Sequence, residues 1–250
     1  MSATSVAAFL RRDLLLLRRN TASLISMFVV PPLFLLCLYA VFGYSAGQSG
    51  FGYLRFVLGG CLFQAAMFTA AASAMAVGQD VESGLVDRVR VLPGATGGYV
   101  AGRLATDVLR MSASIAALLV VAWACGLDMA VGEVAWTVLW SLLAAAVLSL
   151  VTDGVILMVP APVSTASSIQ ALEMLLLMFS TAFIPATALD GSLRDVVRHM
   201  PFSPIIEVIR AASPDAFPDS AGEEAALWLG VAAVAGIVLF IRRFTSRSES

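Results

Sequence analysis

The residues able to do chemistry in this chain are few and gathered. In the stretch AMAVGQDVESGLVDRVRVLPGATGGYVAGR, Ala74 to Arg103, stand three acids (Asp80, Glu82, Asp87), three arginines (Arg88, Arg90, Arg103), Pro93 and a cluster of glycines. All 15 basic residues are arginine. A phosphate-binding loop of the GxxxxGK[ST] type needs its lysine, so energy from ATP must enter from another polypeptide. His199 is the single histidine, too few for a His-based metal site or an HExxH helix. DGS at Asp190–Ser192 and His199 fit an intramembrane serine protease poorly. Cys37, Cys61 and Cys125 lie in apolar runs without CxxC or Cys/His spacing and read as small buried side chains. The available chemistry is charge pairing and docking, and the chain reads as non-enzymatic.

Three further ionisable groups, Arg110, Asp153 and Glu173, border the apolar core. Such residues mark function by default. They are placed towards the cytoplasmic ends of their spans, where they read either as an interhelix clamp or as part of a substrate or proton path.

These groups sit in a chain of 250 residues, 60% hydrophobic and 13% charged, with mean hydropathy +0.92. Ordinary soluble domains carry about 25% charged residues. The deficit predicts a polytopic membrane protein, and the net charge of −2 gives no reason to invoke nucleic acid. Six windows are apolar enough to span as helices: Leu24–Phe42, Phe56–Val77, Val108–Cys125, Val134–Met158, Ile169–Leu189 and Leu227–Ile241, the last extending back towards Ala221. Nothing alternates with period two, which leaves helices as the spanning element. The first window is longer than a signal-peptide core and reads as a retained anchor. Arg11, Arg12, Arg18, Arg19, Arg88, Arg90, Arg103, Arg242, Arg243 and Arg247 fall on one side. Arg55, Arg194, Arg198 and Arg210 fall on the other. That asymmetry places both termini and the charged stretch in the cytoplasm. An all-arginine basic set is consistent with GC-rich bacterial coding, hence a bacterial inner membrane.

Residues 1–21 form a cytoplasmic lead-in, residues 22–241 one permeating domain, and 242–250 a cytoplasmic tail. Within the lead-in, residues 4–20 pattern as an amphipathic helix: four arginines share an arc opposite Val6, Phe9, Leu10, Leu16 and Leu17. Asp13 falls on the apolar side and calls for a partner on another helix. Pro31–Pro32 predicts a kink inside the first span. In the charged stretch, about 80–93, the apolar run breaks at Gly78. Leu85, Val89 and Leu92 then make one helical stripe, Pro93-Gly94 stops it, and GATGG allows a tight reversal. Such a helix suits a groove on a partner protein. In VPAPVSTASS, Ser164 or Ser167 is placed to cap the fifth span, as a plain turn or a second partner contact. The outer segment, about 190–220, reads as two half-helices broken at Pro201 and Pro204 that dip into the outer leaflet, with Glu207 and Arg210 three apart and close enough to pair.

The layout resembles the membrane subunits of ATP-binding-cassette exporters, the type-2 permease family that includes daunorubicin-resistance permeases. DVESGLVDRVRVLPGATGGYVAGRLATD, Asp80–Asp107, is similar to the family's acid-Gly run, basic pair, Pro and later Gly-Arg. MPFSPIIEVIRAA, Met200–Ala212, is similar to its second signature, with Ser203 where Asn is usual. The resemblance implies a six-helix permease with an interfacial N-terminal helix and a re-entrant outer segment. It implies a homo- or heterodimer with a second permease subunit, surrounded by membrane lipids, on a separate pair of ABC ATPase subunits that hold ATP and Mg. This chain would itself bind no cofactor or metal. Glu82, Leu85, Arg88, Val89, Leu92 and Pro93 would couple it to the ATPases. The resemblance also implies export of a hydrophobic drug, antibiotic or secondary metabolite, for which Phe63, Met67, Met174, Met178 and Phe179 are available along the path. Lipid-linked glycan or other envelope export is the alternative in the same class. An ATP-independent carrier or an immunity protein is the alternative outside it. Asp128 and Glu133 make the outer turn between the third and fourth spans acidic, which the resemblance does not explain.

Overall fold

The computed structural model describes residues 3–19, 21, 25, 28–48, 52–92, 95–184, 191–211 and 220–245. The described residues form ten helices and no strand. They are α1 (Ala3–Arg19), α2 (Val30–Gln48), α3 (Tyr53–Glu82), α4 (Leu85–Val91), α5 (Ala95–Ala124), α6 (Val131–Ile156), α7 (Pro162–Met178), α8 (Gly191–His199), α9 (Phe202–Arg210) and α10 (Ala221–Thr245).

Four helices, α3, α5, α6 and α10, are long and apolar enough to cross a membrane. At 1.5 Å per residue the 30-residue α3 and α5 reach about 45 Å, well beyond a hydrocarbon core of about 30 Å. The α2 apolar stretch, Val30–Tyr44, is shorter, and the 17-residue α7 reaches only about 26 Å. The expected fifth span, Ile169–Leu189, is therefore corrected. Its helix starts seven residues earlier, stops at Met178, and gives way to turns through Ile184. The first span is shifted too. Pro31 and Pro32 lie in the first turn of α2, where a missing N–H breaks no bond of that helix. Residues 21, 25 and 28 before them are helical too, and the bonds Val29 N–H to Ile25 C=O and Leu33 N–H to Val29 C=O run across the junction, so the prolines mark a break between helical stretches at Val29.

The centre of the bundle is α3, whose apolar window is 83% buried and packs against α2, α5, α6, α7 and α9. Small residues allow that crowding, since lipid supplies little hydrophobic drive between helices and close approach must supply packing. A Cβ on Gly78 would stand 3.1 Å from the Val163 nitrogen at the start of α7. The crossing of α6 and α10 is reciprocal: a Cβ on Gly154 would meet Leu239, and one on Gly236 would meet Leu150 at 2.8 Å.

A turn bond, Ala95 N–H to Leu92 C=O, closes the link into α5, and the later glycines of the GATGG cluster belong to helix rather than turn. Gly97 and Gly98 are already in the first turn of α5, and Gly98 and Gly102 form the seat for α1. A Cβ at Gly98 would lie 2.5 Å from Ser5 Oγ, and one at Gly102 would lie 2.7 Å from Phe9 Cβ. Phe9 then meets Tyr99 edge-on at 5.5 Å. The expected amphipathic helix is thus formed, with its Ser5–Phe9–Asp13 face against α5. Gly102→Val is expected to unseat α1 at a cost of about 1–3 kcal/mol of overpacking. Differential scanning fluorimetry of the purified chain reads this out; an unchanged melting temperature in Gly102→Val counts against it.

Candidate functional site

Charged groups collect where α1, α3, α5 and α6 meet. Arg103 of α5, 5% exposed, lies at their centre. Its Nη1 reaches Asp13 at 3.3 Å and Asp80 at 3.4 Å, its Nη2 donates to the Ser73 carbonyl at 2.8 Å, and its Nε donates to Ser73 Oγ at 3.3 Å. Ser73 Oγ in turn donates to Asp153 at 2.8 Å, and Asp153 lies 3.8 Å from Arg103 Nε. Tyr99 Oη donates to Asp80 at 3.1 Å, and Arg12 reaches both Asp13 and Asp80. Burial pushes the Asp13 carboxyl up, with Arg103 and then Arg12 opposing. The hydrogen bond to Asp80 holds the Arg12 guanidinium above its ordinary value.

Asp13 therefore has the partner on another helix that its position in the sequence requires. Asp153 clamps α6 to α3 and α5. Arg110 pairs with Asp107 one turn back at 3.2 Å. Glu173 departs from the expectation for these groups: it lies past the middle of α7, not towards its start, and its Oε2 is buried without a partner among the described residues. Sequence spacing alone missed Arg103 as the hub. The available signal was an arginine about two turns inside an apolar helix, with an unexplained acid on the amphipathic lead-in.

Next to this network, α4 stands at the junction between the two longest helices. The break is at Ser83-Gly84, not Gly78, and Gly84 takes φ +70°, the left-handed region that glycine enters without strain. Asp80 and Glu82 thus belong to the last turn of α3, and the short helix is Leu85–Val91. Its inward face is Val86 and Val89, both almost wholly buried among Val77, Tyr99, Ile156 and Phe240, with Leu85 half-buried beside them. The predicted outward stripe is corrected accordingly: Leu85 and Val89 attach α4 to its own bundle. The surface it presents is Glu82, Asp87, Arg88, Val91 (79% exposed) and Leu92 (57% exposed). Pro93 lies outside the described residues. Asp87 also pairs with Arg243 of α10 at 3.1 Å. In the neighbouring turn, Ser164 and Ser167 do not cap α7. They bond back to Ala161 and Val163 carbonyls, and Pro162 opens the helix.

At the opposite end of α3, α9 is wedged into the bundle, and α8 lies mostly exposed beside it. The chain breaks at Met200–Pro201 only; Pro204 lies within the first turn of α9, where proline is tolerated. The expected Glu207–Arg210 pair does not form. Arg210 instead donates to the carbonyls of Phe56 at 2.8 Å, Thr181 at 2.7 Å and Ala182 at 2.6 Å, and its guanidinium carbon lies 3.8 Å from the Phe56 ring centre. Thr181 and Ala182 lie in the turns after α7 and Phe56 in the first turn of α3, and a planar fork serves several carbonyls at once. Gly59 and Gly60 make room: a Cβ on either would overlap Arg210 or the Ala182 carbonyl. Ser203, fully buried, accepts from Thr181 N–H at 3.1 Å and donates to Val197 O at 2.6 Å. Trp136 and Thr137 of α6 donate to the last carbonyls of α9. Glu133 pairs with Arg55 at 2.6 Å, which accounts for one acid of the outer turn.

The five residues suggested for a substrate path are not brought together. Phe63 and Met67 are buried in the bundle core, where Phe63 packs on Phe202 at 5.1 Å, and Met174 packs at the edge of that core. Met178 and Phe179 are exposed at the end of α7. None of them lines the clefts beside α1, α3 and α5 or the one at the outer turn; one of these, about 530 Å³, opens beside Arg12, Asp13, Asp80 and Asp107.

Residues 4–213 match the family described as ABC-2 type transporter. Over 117 residues the chain is 32% identical to the daunorubicin resistance ABC transporter permease protein DrrB1 of Streptomyces coeruleorubidus; the match covers 46% of this chain and 41% of that one. No solved structure matches.

Proposed function

This chain belongs to the ABC-2 type transporter family, the membrane permeases of ABC transporters, and on that footing we propose that it forms the export path for a hydrophobic drug, antibiotic or secondary metabolite. It crosses a bacterial inner membrane six times, with α2 and α7 completing the set begun by the four long helices and both termini inside. Two permease subunits pair, and each rests on a separate ATPase subunit that holds ATP and Mg. The drug-resistance name of the relative supports this cargo class.

The observation that carries the reading is the placement of α4. It is a seven-residue helix at the hinge between α3 and α5, fastened inward by Val86 and Val89, with Val91 and Leu92 left bare beside Arg88. An apolar pair rimmed by charge is a surface for a protein groove. Closure of the ATPases on ATP pushes α4, and the push passes through Asp80 and Arg103 to α1, α5 and α6 by contiguous charged and packed contacts.

Two measurements test the proposal. Cysteine labelling at positions 88 and 90 in intact cells is expected to fail until the membrane is opened; labelling from outside overturns the orientation. Tagged permease, extracted gently in detergent, is expected to retain an ABC ATPase and to export only when that ATPase hydrolyses ATP. Transport by the chain alone overturns the division of labour.

A further inference from the structure

The charged cleft has an apolar neighbour. A second cleft, also about 530 Å³, runs between α1 and α5 over Leu10, Leu14, Phe28, Leu109 and Ala113, and it shares Leu17 and Arg110 with the first as common walls. A space that is ionic in one lobe and hydrocarbon-like in the next is complementary to an amphiphile.

Three carboxyl groups, those of Asp13, Asp80 and Asp107, and three guanidiniums, those of Arg12, Arg103 and Arg110, line the ionic lobe. Asp107, 2% exposed, uses one oxygen for Arg110 and leaves Oδ2 buried with no partner among the described residues. Arg110, 7% exposed, likewise leaves Nε without an acceptor. A buried carboxyl oxygen without a donor is costly, and an ammonium brought to it supplies the missing bond.

We propose that the paired clefts between α1, α3 and α5 form a loading site for a cationic amphiphile, with its protonated amine at Asp107 and its apolar body along Leu10, Leu14, Leu109 and Ala113. The site narrows the cargo class of the function proposed above and rests on that reading for its purpose, but binding itself needs neither ATP nor the ATPase. An amphiphile that has partitioned into the leaflet beside α1 reaches the apolar lobe sideways, without passing through water. Arg11 and Arg18 border the exposed side of the apolar lobe and favour an anionic ligand instead. The test is built to separate the two.

The full chain in phosphatidylcholine nanodiscs is titrated with rhodamine 6G, a fluorescent lipophilic cation, and with anilinonaphthalene sulfonate, an anionic amphiphile of similar apolar bulk. Empty nanodiscs correct for partitioning. Saturable rhodamine binding is expected, weakened by about tenfold or more in Asp107→Asn, with the anionic probe unaffected. Ala113→Leu fills the apolar lobe without touching the charges and is expected to weaken rhodamine binding while the melting temperature holds. This second variant keeps the idea testable if Asp107→Asn folds poorly. Rhodamine binding unchanged by either variant overturns the site, as does tighter binding of the anionic probe that is lost on replacing Arg11 and Arg18 by glutamine. If these binding results hold but no ATPase co-purifies, the site stands and the exporter reading fails.

Discussion

Arg103→Met lowers the melting temperature of the purified protein by on the order of 10 °C, and much of the chain fails to accumulate in the membrane. Removing one member of a buried ion network leaves its partners charged and unpaired, at a cost of about 3–5 kcal/mol. Here Asp13, Asp80 and Asp153 would all lose their shared cation, and the Ser73 carbonyl its donor. Arg103→Lys is expected to recover little, because one ammonium cannot reach a carboxylate pair, a carbonyl and a serine hydroxyl arrayed around a planar fork. Arg12→Gln is the milder comparison, since the Arg12 side chain is about one-third exposed and water can take its place. Differential scanning fluorimetry on the three variants checks the order. Equal stability of Arg103→Met and the parent would show that α1 is held by apolar contact alone.

Export falls at least tenfold in the double variant Val91→Glu, Leu92→Glu, with insertion and stability unchanged. Burying each apolar side chain in a partner's groove is worth about 1.5–3 kcal/mol, and every 1.4 kcal/mol is tenfold in affinity. Glutamates would forfeit that gain and add two charges to desolvate. The pair is already exposed, so the permease alone loses nothing. Leu85→Asp is a poorer probe, because it would disturb the packing of α4 on its own bundle before any partner is involved. ATP-dependent uptake into inverted vesicles, alongside co-purification of the ATPase, reads out the effect. Full transport by the double variant would place the docking surface elsewhere.

The solvent, the long helices, the amphipathic lead-in and the charged stretch were all legible in the sequence, because hydropathy over 20 residues and arginine placement are strong local signals. The partner that Asp13 requires on another helix is present as Arg103, but other features decided by which neighbour arrives were missed. The stripe at Leu85, Val89 and Leu92 shows that α4 has an apolar side without saying whether it faces a partner or its own core. Glu207 and Arg210 are correctly spaced to pair, yet the carbonyls of Phe56, Thr181 and Ala182 take the guanidinium. Glycines in GATGG look like a turn when read along the chain, and become a helix seat once α1 lies across Gly98 and Gly102. Phe63 and Met67 looked available for cargo, and the bundle uses them to fill itself.

The central helix α3 is an unbroken rod fixed at both ends. Near one tip Arg210 grips the Phe56 carbonyl; at the other Asp80 is bolted to α1 and α5. With no proline along its length and its flanks crowded, it has nowhere to flex. On the function proposed above, a thrust received at Gly84 would be carried along this rod to the far tip, and gates at its two ends would swing as a seesaw rather than open together.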